Sequence, residues 1–230
     1  MVVEKVISRR SVIIWHLLLS ITGIAIGFYI DIKTNVRFLG FANSVCVLLL
    51  FLYSISLKKK LLWGNILISL LTAWTILVVG WCETSKLLQP NLIGASTEKI
   101  TRLSFLFAGF AFVISLIREV IKDMEDIEGD SKYGCNTMPI AWGINATKVF
   151  VAVWLVVLAS ALSIVQFYVL VFKWWFSAFY CILFIIIPLV LIFRQLLSAT
   201  TSQDYHKLSS FVKMVMFAGI LSMLFFRFYL

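Results

Sequence analysis

The stretch that decides how this chain folds reads Arg-Glu-Val-Ile-Lys-Asp-Met-Glu-Asp-Ile-Glu-Gly-Asp at positions 118–130. It begins at the end of a long apolar run and holds six of the eleven acidic residues of the chain. A charged side chain at the centre of a bilayer costs about 2.5–3.5 kcal/mol on insertion scales, so such groups are usually paired, exposed to water or functional. The stretch therefore marks a place where a membrane helix meets water and where polar chemistry is concentrated.

The spacing of these acids predicts one negatively charged helix face. If the preceding helix continues, each residue turns by about 100°, so acids at i, i+4, i+7 and i+11 share an arc of about 60°. These four are Glu119, Asp123, Asp126 and Asp130, whereas Glu125 and Glu128 point to the other side. Like charges on one face destabilise a helix unless cations neutralise them, and Mg²⁺ takes carboxylate oxygens while sharing its other sites with phosphate and water. The pattern favours a magnesium site; the alternative is a solvated loop whose acids face water.

The composition indicates an integral membrane protein. Hydrophobic residues make up 62% of the chain and its mean hydropathy is +1.02, values that exclude a soluble domain. Seven apolar runs are each near the roughly 20 residues that cross a bilayer as a helix. We therefore predict an all-α transmembrane bundle that forms a single domain over residues 1–230, with spans near 11–30, 38–57, 61–81, 103–121, 149–172, 174–197 and 211–230.

The distribution of basic residues predicts the orientation. With seven spans, 13 Lys and Arg residues fall on the side of the N-terminus and 7 on the other side. Cytoplasmic loops carry the excess of positive charge, so we expect the N-terminus and the acidic stretch in the cytoplasm and the C-terminus outside a plasma or inner membrane. The net charge of +9 then reflects topology, and no basic patch interleaved with aromatic residues indicates nucleic-acid binding.

The cysteines and histidines carry no recognisable site. Cys46, Cys82, Cys135 and Cys181 are scattered, without a C-x-x-C pair or a histidine at ligand spacing. This pattern indicates neither a disulfide framework nor a zinc site. We expect His16 and His206 to be structural.

A second polar segment lies on the same predicted side as the acids. It reads Tyr-Ser-Ile-Ser-Leu-Lys-Lys-Lys at positions 53–60 and is followed by Trp63-Gly64-Asn65. One interpretation is a topological anchor, in which the lysines stay in the cytoplasm and Tyr53 sits at the interface. The other is that the three lysines and the phenol face an anionic phosphate across from the metal site. The two segments together would form a cation-plus-metal clamp for a diphosphate.

These motifs resemble the UbiA superfamily of intramembrane prenyltransferases. Asp123-x-x-Asp126-x-x-Gly129-Asp130, followed by Gly134-x-x-Thr137-x-Pro139, is similar to the second aspartate-rich motif of that family. The segment that starts at Tyr53 resembles the family's Tyr-x-x-x-Leu-Lys-Arg signature, with Lys59 where arginine is common. The string from Arg118 to Asp130 is most similar to the branch that makes digeranylgeranylglyceryl phosphate.

The resemblance implies a nine-helix bundle around a lipid-accessible cavity, of which this chain holds the last seven helices. The first aspartate motif of the family, Asn-Asp-x-x-Asp or Asn-Asp-x-x-x-Asp, has no counterpart, since neither Asp31 nor Asp204 has the required neighbours. The match begins near Ile7-Ser8, just downstream of where that motif would lie. We therefore expect an N-terminally truncated chain that lacks the first two family helices and half of the metal cage.

The resemblance also implies the roles of individual residues. The chain would transfer a prenyl group, geranylgeranyl, from prenyl diphosphate to a lipophilic acceptor, geranylgeranylglyceryl phosphate, with Mg²⁺ as cofactor. Mg²⁺ would be held by Asp123, Asp126 and Asp130. The diphosphate would meet Lys58, Lys59, Arg118, Lys122 and Lys132. Tyr53, Lys58, Asp123 and Asp126 would form the catalytic set, and Trp74, Phe107 and Phe112 could line the isoprenoid channel.

Three alternatives stay open at this point. The acceptor could be an aromatic quinone precursor or a chlorophyll-type molecule rather than a polar lipid. The missing motif could leave a truncated, non-catalytic remnant. A transporter could also place acids on an ion path, but these acids follow the end of a span and no internal repeat is visible. The sequence is silent on prenyl length and oligomeric state.

Overall fold

The chain is built from apolar helices. The computed structural model describes residues 8–34, 36, 38–87 and 95–225, and within these ranges it contains helices and turns but no strand. The helices are α1 (Arg9–Thr34), α2 (Leu39–Ile55), α3 (Trp63–Leu87), α4 (Ala95–Glu125), α5 (Ile127–Lys132), α6 (Met138–Ala141), α7 (Ile144–Val171), α8 (Trp175–Cys181), α9 (Ile187–Ser198) and α10 (Ser202–Ser222).

The predicted all-α membrane architecture is confirmed. Six helical stretches of the described residues are long and apolar enough to cross a membrane, and they correspond in position to six of the seven predicted runs. The remaining run corresponds to α2, an apolar helix of 17 residues that is shorter than the usual span of about 20. The last predicted run, 211–230, extends past Phe225, so residues 226–230 lie outside the described range.

The described chain divides into two compact units. The first unit comprises Met1–Ile55 and Leu77–Ser104, and the second comprises Ser56–Ile76 and Phe105–Leu230. The single domain expected over residues 1–230 stays a prediction.

Close helix packing and a shared carboxylate organise the first unit. The side chain of Asp31, near the end of α1, accepts the backbone N–H of Leu39 at 2.9 Å and of Gly40 at 2.8 Å. These donors open α2, where backbone N–H groups have no partner within the helix. A Cβ atom at Gly40 would come within 2.6 Å of the Phe28 ring, so only glycine allows α1 and α2 to approach this closely. The close approach of the two helices therefore requires glycine at position 40.

The second unit holds the main apolar core. Its members come chiefly from α4, α7, α9 and α10, and side chains such as Ile121, Leu155, Ile192 and Val212 are at most 2% exposed. Between membrane helices such side chains stabilise the fold by close van der Waals packing, because lipid tails are as apolar as the core itself. This core fixes the C-terminal end of α4, where Val120, Ile121 and Met124 are buried on one face. The acidic face of the same helix end is thereby positioned.

Two helix boundaries differ from the prediction or refine it. The apolar run predicted over 211–230 belongs to a helix that starts earlier, because α10 begins at Ser202 with a capping box between Thr201 and Asp204. This reciprocal pair satisfies two N–H groups at the helix start, which explains why a polar sequence is helical there. The span predicted over 149–172 likewise starts earlier, since α7 begins at Ile144.

The span that contains α8 and α9 is interrupted by one wide turn. A π-helical segment, Ile182–Ile186, joins the two helices and is followed by Pro188. Proline has no N–H to donate to the carbonyl four residues earlier, and helices accommodate such a gap by local widening. The span nevertheless continues from Trp175 to Ser198.

Candidate functional site

The acidic stretch forms a helix end, a break and a short helix. The helix α4 reaches Glu125, Asp126 adopts φ −97° and ψ 11°, and α5 starts at Ile127. The condition set for the shared face, a continuous helix through Asp130, is therefore not met at Asp126. Carboxylates stacked at helical spacing repel one another, and such repulsion disfavours continuous helix there. The backbone N–H of Asp130 still donates to the Asp126 carbonyl at 2.9 Å, so the chain keeps its helical direction across the break.

Four carboxylates remain close to one another despite that break. Negative charge acts on Asp123 from Asp130, Glu119 and Asp126, the same four residues that the spacing placed on one face. Asp123 is partly buried, and Val120 and Met124 on the neighbouring face are buried. The arrangement concentrates negative charge where only part of it reaches water, which is a condition that favours a bound cation.

One neutral side chain contacts this group directly. The Nδ2 atom of Asn65, in the first turn of α3, donates a hydrogen bond of 2.7 Å to Oδ2 of Asp123. In the sequence, Asn65 stands at the end of a polar segment, outside the motifs that predict site residues. The available signal was its position just after the lysines, on the same predicted side as the acids.

The basic segment lies beside the acids in the second unit. Lys58 and Lys59 belong to a 3-10 turn, Leu57–Lys59, that precedes α3. The backbone N–H of Asn136 donates to the Lys59 carbonyl at 2.9 Å, which joins this turn to the loop after α5. The two polar segments that were predicted to form one clamp are thus adjacent.

The pKa of Asp130 depends on charges from both segments. Burial raises the pKa of the Asp130 carboxyl above its ordinary value, and repulsion from Asp126 raises it further. The positive charges of Lys58 and Lys122 act in the opposite direction but do not overcome these two effects. Lys58 and Lys122 therefore offset part of the effect of burial and of the repulsion from Asp126.

The other predicted site residues have different surroundings. Arg118 forms an ion pair with Glu119, and both side chains are largely buried. Lys132 is exposed in the last turn of α5. Tyr53 lies in α2 and belongs to the first unit, as its residue range shows. The catalytic and binding roles assigned to all these residues stay predictions.

The metal site predicted from the acids is not preformed as a closed cage. In the part of the chain that the structure describes, no group of three or more His, Cys, Asp or Glu side chains converges to hold an ion. Magnesium commonly binds through one or two carboxylates together with substrate phosphates and water, rather than in an all-protein cage. The oxygen donors of Asp123, Asp126 and Asp130 and their uncompensated charge fit such an open site.

The opposite side of the acidic stretch is tied to α10. Oε1 of Glu125 accepts a hydrogen bond of 2.7 Å from Nδ1 of His206. The backbone carbonyl of Glu125 accepts a second one, of 2.9 Å, from Oγ of Ser202. Glu125 therefore faces α10, in line with the prediction that it points to the other side from the four acids, and the structural role expected of His206 stays a prediction. Cys46, Cys82, Cys135 and Cys181, which all lie in the described part of the chain, form no disulfide bond there.

Comparison with known proteins gives the class of this chain. The UbiA prenyltransferase family matches residues 1–221, which is nearly the whole sequence. The chain therefore belongs to the UbiA prenyltransferase family. Among solved structures, none matches the chain.

Curated relatives in archaea carry a more particular name. The chain is similar to proteins named digeranylgeranylglyceryl phosphate synthase from Methanosphaera stadtmanae (28% identical over 218 residues, 94% of this chain and 71% of the relative) and Methanospirillum hungatei (32% over 183 residues, 78% and 57%). The protein of that name from Methanopyrus kandleri is 32% identical over 182 residues, 79% of this chain and 59% of its own length. The match to the latter two relatives covers less than two thirds of their length.

Proposed function

We propose that this chain carries out Mg²⁺-dependent transfer of a geranylgeranyl group from geranylgeranyl diphosphate to geranylgeranylglyceryl phosphate in the membrane. The family gives the reaction class, and the name shared by the archaeal relatives suggests the polar-lipid acceptor. The observation that carries the proposal is that the acidic stretch and the basic turn are adjacent. Lys58 of the basic turn and Lys122 of the acidic stretch both act electrostatically on Asp130. The proposed orientation places this site and the N-terminus in the cytoplasm and the C-terminus outside.

The carboxylates and lysines would divide the work on the diphosphate. Asp123, Asp126 and Asp130 would hold Mg²⁺, which when bound neutralises charge on the diphosphate oxygens. The ammonium groups of Lys58 and Lys122 would contact oxygens of the same diphosphate, with Lys59 and Lys132 adding positive charge nearby. A clamp of this kind stabilises the leaving group as its negative charge grows.

The transfer itself would exchange one carbon–oxygen bond for another. The bond between the allylic carbon and the diphosphate breaks, and its electron pair leaves with the diphosphate. The hydroxyl oxygen of the acceptor forms the new bond to that carbon and loses its proton to solvent. Apolar side chains around the prenyl chain would exclude water that could intercept the electron-poor carbon.

A transfer assay tests the proposal. The chain, reconstituted in lipid nanodiscs, is incubated with radiolabelled geranylgeranyl diphosphate, geranylgeranylglyceryl phosphate and Mg²⁺. We expect labelled lipid product in wild type and on the order of 100-fold less after Asp126→Asn, because one carboxylate charge is lost. Lys207→Ala, which removes an exposed lysine from α10, is the matched control and should behave as wild type. Equal turnover in wild type and Asp126→Asn would refute the role of the acids.

The acceptor is tested in the same assay. A second reaction replaces the glyceryl phosphate with a hydroxylated aromatic quinone precursor. Faster transfer to the aromatic ring would overturn the proposed acceptor and leave the prenyltransferase chemistry intact. Binding of diphosphate and Mg²⁺ without transfer to either acceptor would identify a non-catalytic remnant.

A further inference from the structure

We infer that Asn65 is a positioning residue, which orients the Asp123 carboxylate for a divalent cation without neutralising it. The inference rests on the proposed function, because it concerns a residue that acts through a proposed metal ligand. It adds a residue that neither aspartate motif nor lysine motif contains. Its basis is the hydrogen bond of 2.7 Å from Nδ2 of Asn65 to Oδ2 of Asp123.

Both partners of this bond are held by rigid structure. Asn65 lies in the first turn of α3, and its own carbonyl accepts a hydrogen bond of 2.7 Å from Oγ of the fully buried Ser69. Asp123 lies in the last turn of α4, next to buried Val120 and Met124. A bond between two anchored helix ends restricts the carboxylate far more than a bond to a mobile side chain would.

A second contact fixes the same pair of helices further along. Oγ of Ser115 donates to Oγ1 of Thr72 at 3.4 Å, about two helical turns from the pair formed by Asn65 and Asp123. The two contacts run along the same interface between α3 and α4, so the pairing of Asn65 with Asp123 is set by helix register.

The chemistry of an amide explains why asparagine suits this position. A lysine or arginine here would form an ion pair with Asp123 and compete with a metal ion for the charge. An amide N–H is neutral, so it orients Oδ2 while the carboxylate keeps its negative charge and Oδ1 remains for a cation. Hydrogen-bonded partners of this kind orient metal-binding carboxylates in other proteins, and their loss weakens metal affinity roughly 10-fold to 100-fold.

Metal binding measured apart from turnover tests the inference. The 230-residue chain in nanodiscs is titrated with Mn²⁺ in the presence of inorganic diphosphate, and the free ion is followed by electron paramagnetic resonance. We expect Asn65→Ala to weaken Mn²⁺ binding roughly 10-fold to 100-fold. Asn65→Leu, which keeps nearly the same volume, should weaken binding to a similar extent. Thr75→Ala, which removes a hydroxyl from an exposed position of the same helix, should bind as wild type.

A double-mutant cycle separates positioning from a general packing effect. If Asn65 acts through Asp123, then Asn65→Ala should change binding less than about twofold when Asp123→Ala is already present. An equal loss in both backgrounds would overturn the inference. So would wild-type binding by Asn65→Ala and Asn65→Leu while Asp123→Ala binds weakly, and the proposed function would survive. Unchanged binding after Asp123→Ala would overturn the proposed function and the positioning role together.

Discussion

Asp31 and Asp123 both lie near the end of a long apolar helix, yet their surroundings are opposite. Asp31 is near the end of α1 and accepts two backbone N–H groups that open α2. Asp123 is near the end of α4, accepts one side-chain amide N–H, and is surrounded by three further carboxylates. The first carboxylate has its charge stabilised by donors that the fold must satisfy in any case. The second has more negative charge nearby than its donors compensate.

The difference teaches how a structural carboxylate can be told from a functional one in a membrane protein. A carboxylate at the start of a helix accepts backbone N–H groups that would otherwise have no acceptor, so its presence stabilises the fold. Carboxylates grouped with one another create an excess of negative charge, which nearby lysine and arginine side chains offset in part and a bound cation would relieve further. Asp204 belongs to the first kind, because its side chain accepts the N–H groups of Thr200 and Thr201 at the start of α10.

The largest expected effect separates the two kinds by activity. Asp123→Asn keeps the shape of the side chain but removes its charge, so we expect transfer per folded molecule to fall by at least about 100-fold. Asp31→Asn makes the same chemical change in the first unit and should leave transfer per folded molecule near wild type. Both are measured with radiolabelled prenyl diphosphate after folded protein is quantified by size-exclusion chromatography. Equal losses in the two variants would erase the distinction.

Stability should show the reverse order. Asp31→Ala leaves two partly buried N–H groups without their acceptor, so we expect it to lower the free energy of unfolding by about 2 kcal/mol. Asp123→Ala relieves repulsion among the carboxylates and should be neutral or slightly stabilising in the absence of metal. Thermal unfolding followed by circular dichroism compares the two. A clearly less stable Asp123→Ala would mean that this carboxylate is structural as well.

The basic turn offers a smaller effect that sharpens the same contrast. Lys58→Ala removes a positive charge that acts on Asp130, so we expect the half-saturating prenyl diphosphate concentration to rise about fivefold. The maximal rate should change less, because the carboxylates remain. Lys207→Ala on α10 serves as control. An unchanged dependence on prenyl diphosphate would return Lys58 to the role of a topological anchor.

The smallest expected effect concerns Asp204. Asp204→Ala removes the reciprocal cap of α10, and we expect the unfolding temperature to fall by about 2–4 °C. Transfer per folded molecule should be unchanged, as for Asp31→Asn. Thr201→Ala removes the other half of the cap and should act in the same direction. A loss of transfer without a loss of stability would show that Asp204 is not merely a cap.

Hydropathy and residue spacing predicted the helices and the grouping of the acids because both depend on local sequence. Each apolar run is long enough to cross a bilayer, where backbone N–H and C=O groups must be paired within the chain. Its helical state therefore follows from backbone hydrogen bonding alone. The four carboxylates share a face because helical periodicity persists across Asp126. The break itself was missed, since the repulsion that disfavours a continuous helix depends on how much water and how many cations surround the acids.

Contacts between distant segments were beyond the sequence. The bond from Asn65 to Asp123 joins residues 58 positions apart, and no local pattern specifies which asparagine meets which acid. The same is true of His206 with Glu125, where one charged face of α10 meets the end of α4. Packing of whole helices sets these pairs, and a single sequence contains that register only implicitly.

The join between the basic turn and the loop after α5 is made by main-chain atoms, from the N–H of Asn136 to the carbonyl of Lys59. Every amino acid except proline supplies the same donor, so mutation can freely alter the side chains at both positions while the two segments stay coupled. Side chains on the basic turn and on the loop after α5 can thus change during evolution, and ligand preference with them, while the hydrogen bond that joins the two segments is kept.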